Sequence, residues 1–306
     1  MEMIKVFAPA TVANIGPGFD VLGVAVTGPG DIVEARKITS PGVIIESISG
    51  DNGRLPLDSA RNTAGVAAAE TLKIIGAPGG VALKLYKGMP LGSGLGSSAA
   101  SAAAAAWAVA LLYDFELKQA LLPACLAAEA AVSGYHADNV APSLLGGLIL
   151  IQGYDPLRIE PLPVPSNLCL VLVTPDLEVP TAQARAVVPK MIPLAQVVAN
   201  TGHLSAMVAA TFKNDALAFG RAVVDEIIEP ARAHLIPGFY QVKQAALAAG
   251  GLGCSISGAG PTVFAVADSG ALGNKIGQAM QAAFQQVGLA SIVNIASVDV
   301  QGARPL

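Results

Sequence analysis

The residues best suited to chemistry lie in one run, Pro90-Leu91-Gly92-Ser93-Gly94-Leu95-Gly96-Ser97-Ser98-Ala99-Ala100, which leads straight into an alanine-rich segment. Glycines at alternate positions let a backbone come close to a ligand, and the two serines fall where a helix needs its first amides capped. The unpaired N–H groups and positive dipole end of that helix would face the loop, an arrangement suited to an anion such as triphosphate. Neither common phosphate signature fits. A Walker loop would end in Gly-Lys-Ser/Thr, yet no lysine occurs between Lys87 and Lys118, and a dinucleotide fingerprint would need glycine where Ser97 stands. A turn followed by an ordinary serine-capped helix is the competing account.

Composition narrows the class. The chain has 306 residues, enough for a large core and two domains, divided here as 1–160 and 161–306. Its net charge is −4 with 13% charged residues, so no basic field is offered to nucleic acid. Mean hydropathy is high at +0.58. Even so, the most apolar stretch, Ala99 to Leu112, is shorter than the roughly 20 residues a bilayer span requires. The start, Met1-Glu2-Met3-Ile4-Lys5-Val6, lacks the pattern of a secretion signal, so a cytoplasmic protein without membrane attachment is expected. Cys125, Cys169 and Cys254 form no CxxC pair and are expected to pack as small hydrophobes.

The elements that must position these residues follow from periodicity. Strands are expected at Ile4 to Ala8, Val21 to Val26, Ile32 to Arg36, Val43 to Ile48, Val81 to Tyr86 and Leu148 to Gln152. Helices are expected at Asn62 to Ile75, Ser97 to Tyr113 and Leu117 to Ser133. Pro156, Pro161, Pro163 and Pro165 mark a domain boundary. Beyond it the spacing gives strands at Leu168 to Val173, Cys254 to Ser257, Thr262 to Ala267 and Ser291 to Val300. Helices fall at Thr181 to Val188, Ile192 to Thr211, Ala216 to Ile228, Tyr240 to Ala249 and Ala271 to Val287.

Three further segments stand beside the glycine-serine run: Ala8-Pro9-Ala10-Thr11-Val12-Ala13-Asn14-Ile15-Gly16-Pro17-Gly18-Phe19-Asp20, His136-Ala137-Asp138-Asn139-Val140-Ala141-Pro142-Ser143, and Ser257-Gly258-Ala259-Gly260-Pro261-Thr262. With these four the chain resembles the galactokinase, homoserine kinase, mevalonate kinase and phosphomevalonate kinase (GHMP) superfamily. The first and second of the three resemble the homoserine kinases in particular. The similarity runs along essentially the whole chain.

The resemblance implies an α+β, two-domain GHMP kinase fold. Its N-terminal domain would be like ribosomal protein S5 domain 2, with a left-handed βαβ unit, and its C-terminal domain ferredoxin-like. It implies ATP-dependent phosphorylation of the L-homoserine hydroxyl, with magnesium brought by ATP, and a homodimer. Phosphoryl transfer rests mainly on positioning and charge neutralisation.

Pro90 through Ala100 would bind ATP, with Asn62 at adenine; a plain helix cap is the rival account of Asn62. Ser98 and Glu129 would hold magnesium, Glu129 being a lone carboxylate among apolar residues. The zwitterionic acceptor needs an anion at its ammonium, met by Asp20 and Asn14, and a cation at its carboxylate, met by Arg185 and Arg232. Thr181, His136 and Asn139 would line the acceptor pocket, with Asn139 at the catalytic position and either no side-chain base or the adjacent Asp138 taking part. Gly258 and Gly260 would turn amides to the acceptor carboxylate or the phosphate, or serve only as a tight turn. Another kinase of the superfamily, or a nucleotide sensor without catalysis, would share the phosphate loop without needing the acceptor residues.

Overall fold

The computed structural model describes residues 3–132 and 134–306. Seven strands form the first sheet. These are β1 (Met3–Ala13), β2 (Leu22–Ile38), β3 (Gly42–Ser49), β4 (Gly80–Tyr86), β5 (Leu148–Tyr154), β6 (Leu157–Leu162) and, from the far end of the chain, β11 (Arg304–Pro305). The order is β11-β1-β2-β4-β3, with β5 and β6 continuing from β2. Every pairing is antiparallel except β3 with β4, which is parallel and crosses over through α1 (Thr63–Ile74).

The second sheet holds β7 (Cys169–Pro175), β8 (Gly253–Ile256), β9 (Val263–Ala267) and β10 (Ser291–Ser297), in the order β10-β7-β9-β8. Fourth strand beside first and third beside second is the ferredoxin-like arrangement. The chain thus carries two sheets, each packed against helices, in a mixed α/β architecture.

The core follows from side-chain alternation. Leu170, Leu172, Phe264 and Val266 project from one face of the second sheet into the same core as the first sheet, while Val171, Val173, Val263 and Ala265 face the helices behind it. Those helices are α9 (Phe239–Ala248) and α10 (Gly270–Gln286). At the centre runs α2 (Ser97–Leu112), buried along its length except at Ser98 and Leu111. A helix apolar on every side belongs inside, and its alanines let α1, β1, β2 and α4 (Ala137–Leu145) approach closely.

Several expectations shift. The strands read at Val21 to Val26 and Ile32 to Arg36 are one, β2, because Gly28-Pro29-Gly30 bends the chain without ending it. The proline-rich boundary contains β6, which pairs with β5 across a cis Asp155–Pro156 turn. The helix read from Leu117 begins as a 3-10 turn and becomes α3 (Leu122–Ala130) only where Pro123 fits the first turn; its expected end, Ser133, lies outside the described residues. The segment Ala216 to Ile228 is split into α7 (Ala216–Arg221) and α8 (Ile228–Arg232), the second started by Asp225, whose carboxylate accepts from the amides of Ile227, Ile228 and Glu229. The segments read at Thr181 and Ile192 form α5 (Thr181–Ala186) and α6 (Leu194–Phe212). The opening residues Met1 and Glu2 lie outside the described residues.

Among the described residues no helix is long and apolar enough to cross a membrane. The three cysteines are buried, and burial lifts the Cys125 thiol to about 12, so they pack as expected.

Candidate active site

A cleft of about 490 Å³ gathers residues from all four segments singled out above. Its floor is the start of α2. The N-cap position belongs to Gly96, in the left-handed region at φ +68°, with no side chain capping the helix. This corrects the expected serine caps. Ser97 Oγ is buried without a partner, and the Ser98 hydroxyl instead donates to Glu129 on α3 at 3.0 Å. The uncapped amides are left for an anion. Glycine is required at position 96, since a Cβ there would lie 2.1 Å from Thr11 Oγ1 and 2.8 Å from Asn139 Oδ1.

Leu91 to Gly94 and Gly96 to Ser98 line the cleft apart from Leu95, whereas Pro90, Leu95, Ala99 and Ala100 do not. Leu95 is buried with its carbonyl accepting from the Thr11 amide, and the Ala100 amide closes the first helical turn on Gly96 O. Asn62 reaches the cleft as the cap of α1, its Oδ1 accepting from Ala64 N and its Nδ2 donating to Pro56 O, each at 3.0 Å.

The fourth segment lines the cleft at Gly258, Ala259 and Gly260 and also braces the loop. The Gly258 amide donates to Ala13 O and the Gly260 amide to Ser257 O, so neither is available to an acceptor, contrary to expectation. One amide ties the turn to β1 and the other closes the turn on itself. The Ser257 and Thr262 hydroxyls donate to Gly94 O at 2.7 Å and to Ser93 O at 2.6 Å. Asn14, too, is a brace: it donates to Gly258 O and accepts from the Asp20 amide.

At the opposite wall the expected charges meet. Arg185 on α5 grips Asp20 with two hydrogen bonds of 2.6 and 2.7 Å, so the groups assigned to carboxylate and ammonium face each other. His136 Nδ1 lies 3.7 Å from Asp20, and burial holds its pKa below the ordinary value. Arg232 on α8 is 3% exposed and donates to Gly258 O and Ala184 O, yet no carboxylate pairs with it among the described residues. Burial and the neighbouring Arg185 pull its pKa down to about 10. Thr181, first residue of α5, lines the same wall.

On α4, Asp138 is 3% exposed and its Oδ1 has no hydrogen-bond partner. Burial, reinforced by Asp20, raises its pKa to about 7. Its neighbour Asn139 accepts from the Thr11 hydroxyl at 2.7 Å.

Several cleft residues escaped the sequence reading. Lys87, at the end of β4, forms a buried ion pair with Asp31 and donates to Ser97 O at 3.0 Å and Ser101 Oγ at 2.7 Å, bracing the first turn of α2 from behind. Its only signal was its place between a strand and the glycine run. Arg54 and Glu178 join across the mouth by two 2.8 Å bonds. Outside the cleft lining, Tyr154 on β5 ties the Asp20 carbonyl to the amide of Ala137 at the start of α4.

An open helix N-terminus, a glycine cradle and an acceptor wall carrying both signs of charge define a phosphotransferase. Residues 62–147 match the family model for the N-terminal domain of GHMP kinases and residues 207–286 that for the C-terminal domain. A homoserine kinase of Arabidopsis thaliana is 50% identical, with 98% of this chain and 84% of that protein covered. One from Pyrococcus furiosus is 39% identical over 94% of each. The crystal structure of homoserine kinase from Cytophaga hutchinsonii superposes with a TM-score of 0.97 at 48% identity, covering 100% of this chain and 98% of that one. The L. major mevalonate kinase, at 18% identity and a TM-score of 0.73, shares the fold. The chain belongs to the GHMP kinases and, within them, to the homoserine kinase family.

Proposed function

We propose that this protein transfers the terminal phosphoryl group of ATP to the side-chain hydroxyl of L-homoserine, giving O-phospho-L-homoserine on the route to threonine. The observation that carries this reading is Arg232: a buried guanidinium without a carboxylate, in the cleft that holds the open end of α2. A buried charge lacking a counter-ion is costly, and an acceptor carboxylate would supply one. The ammonium of the same acceptor would sit by Asp20. Because Asp20 and Arg185 already neutralise each other, a zwitterion adds its two charges beside a balanced pair.

The α2 amides and the loop from Leu91 to Ser98 would hold the phosphates, with adenine near Asn62. Asn139 leaves its NH2 for the acceptor, since its carbonyl is held by Thr11. Asp138, poised near neutrality and unpartnered at Oδ1, is the carboxyl in place to take the hydroxyl proton. In a loose transfer that proton leaves late, so Asp138 need not be a strong base.

Ser98 and Glu129 fit magnesium. They are two hard oxygen donors 3.0 Å apart at the edge of the cleft, and among the described residues no cluster of three acidic, histidine or cysteine side chains competes. Magnesium takes one or two carboxylates and completes its shell with phosphate oxygens and water. When bound it would neutralise charge on the phosphates. With domains of 1–160 and 161–306, the phosphate loop would belong to the first, and the acceptor would be held by both, by Asp20, His136 and Asn139 from the first and by Thr181, Arg185 and Arg232 from the second; a homodimer would cover Met191, Leu194 and Val198, which stand exposed just before and at the start of α6.

The test is an ADP-release assay with MgATP and L-homoserine, 4-hydroxybutyrate, 2-aminobutane-1,4-diol or mevalonate. Turnover with L-homoserine alone is expected. Equal turnover with the compounds lacking ammonium or carboxylate would overturn the acceptor assignment, and nucleotide binding without any product would turn the reading towards a sensor.

A further inference from the structure

Phe19 lies in the loop between β1 and β2, and its ring faces two cations at once. The guanidinium carbon of Arg185 is 4.8 Å from the ring centroid and that of Arg232 is 5.2 Å away. These arginines come from separate short helices, α5 and α8, and are linked to different partners, Arg185 to the Asp20 carboxylate and Arg232 to two backbone carbonyls. Two like charges this close repel, and Asp20 is bonded to only one of them. An aromatic face carries negative potential and attracts a guanidinium without neutralising it. The ring therefore offsets the repulsion without cancelling the charge of Arg232, which has no carboxylate partner among the described residues and so stays available to an anion, whereas Arg185 is already paired with Asp20.

We infer that Phe19 is a positioning residue that holds Arg185 and Arg232 at the spacing needed to clamp the acceptor carboxylate. This inference rests on the homoserine reading of the cleft. The ring does not touch the reacting atoms in this account. Its effect is to order the two arginines before the acceptor arrives, so that binding does not have to order them. Nothing in the loop's backbone requires an aromatic residue at this point, for its positive φ angles fall at Asn14, Ile15, Gly16 and Asp20, at +68°, +47°, +78° and +59°, and not at Phe19. Arg185 Nε is also buried with no hydrogen-bond partner, so the clamp retains an unused donor as well as an unpaired charge.

The experiment compares the wild type with Phe19→Leu, which keeps an apolar side chain but has no ring, and Phe19→Tyr, which keeps the aromatic face. Steady-state kinetics are measured separately for L-homoserine and for MgATP, with thermal melting to establish that each variant is folded. For Phe19→Leu the KM for L-homoserine should rise about 10- to 30-fold, the effect of losing one to two cation–π contacts, with the KM for ATP within about twofold. Phe19→Tyr should restore the homoserine KM to within about threefold of wild type. A folded Phe19→Leu with unchanged homoserine KM, a parallel rise in both KM values, or no rescue by tyrosine would each overturn the role of the ring. The wild-type arm separates this failure from the larger one: absence of homoserine turnover there would overturn the functional reading, and the clamp with it.

Discussion

Gly23, on β2, is the residue whose substitution tests most directly whether the start of α4 is held in register by the sheet. A Cβ built on it would lie 1.7 Å from the carbonyl oxygen of Asp138 and 2.7 Å from its carbonyl carbon. Ordinary contacts do not fall below 3.0 Å, so Gly23→Ala must drive the backbone at Asp138 away from β2 by roughly 1.3 Å, the difference between those separations. The sheet is the less yielding side, because Gly23 pairs with Ala13 of β1 and Ile149 of β5. Asp138 and Asn139 would move together with their helix. A misplacement of about 1 Å costs on the order of 100-fold in rate where positioning dominates, and kcat should fall by about that factor. The cradle is carried by α2 and its loop, so the KM for ATP should change by less than about threefold. The assay is steady-state kinetics on a variant shown by circular dichroism and melting to be folded. A folded Gly23→Ala enzyme with kcat within about threefold of wild type would refute the reasoning, since α4 would then absorb the clash without moving Asp138 and Asn139, or these residues would not have the proposed role.

Other outcomes follow from the same geometry. The Asp138 carboxyl, raised from 3.8 to about 7, must lose its proton to act as a base, so kcat/KM should rise through pH 7 in the wild type and lose that rise in Asp138→Asn. The sign for stability is opposite. A raised folded pKa means the protonated form stabilises the native state, a contribution present below 3.8 and lost as pH climbs through about 7, and Asp138→Asn should remove that decline in urea denaturation, whose upper bound is roughly 4 kcal/mol. Arg185→Lys should raise the KM for L-homoserine at least about tenfold while leaving that for ATP nearly unchanged, because an ammonium cannot reproduce the two parallel bonds to Asp20; equal changes in both would contradict the assignment. Glu129→Gln should raise the magnesium concentration for half-maximal activity at least about tenfold, read by titration at fixed ATP, and an unshifted titration would remove Glu129 from the metal site.

Much of this was legible in the chain because it depends on short-range signals. The glycine-serine run, the alanine helix behind it and the segments containing Asn14, Asp138, Arg185 and Gly258 each declare themselves within a dozen residues. The resemblance tied them to one family. What remained hidden depends on contacts between distant positions. The cap of α2 read as serine because serine is the better cap in isolation. Gly96 occupies it because Thr11 and Asn139 leave no room for a Cβ, a fact residing 85 and 43 positions away in the numbering. Likewise Lys87, Asp31 and Ser101 are unremarkable singly, and only the folding of β2 against β4 and α2 makes them a buried brace. The strand β6 was masked by prolines that argue for a linker, though an outer strand tolerates them.

The bonds from Ser257 and Thr262 to the carbonyls of Gly94 and Ser93 give the glycine-serine loop a shared parentage. Its sequence belongs wholly to the first half of the molecule, but its shape is set by hydroxyls made more than 160 residues later. During synthesis the loop would leave the ribosome long before the strands that mould it. A fragment of residues 1–160 would carry the letters of the cradle without its form, and nucleotide binding would report that both halves of the chain have come together.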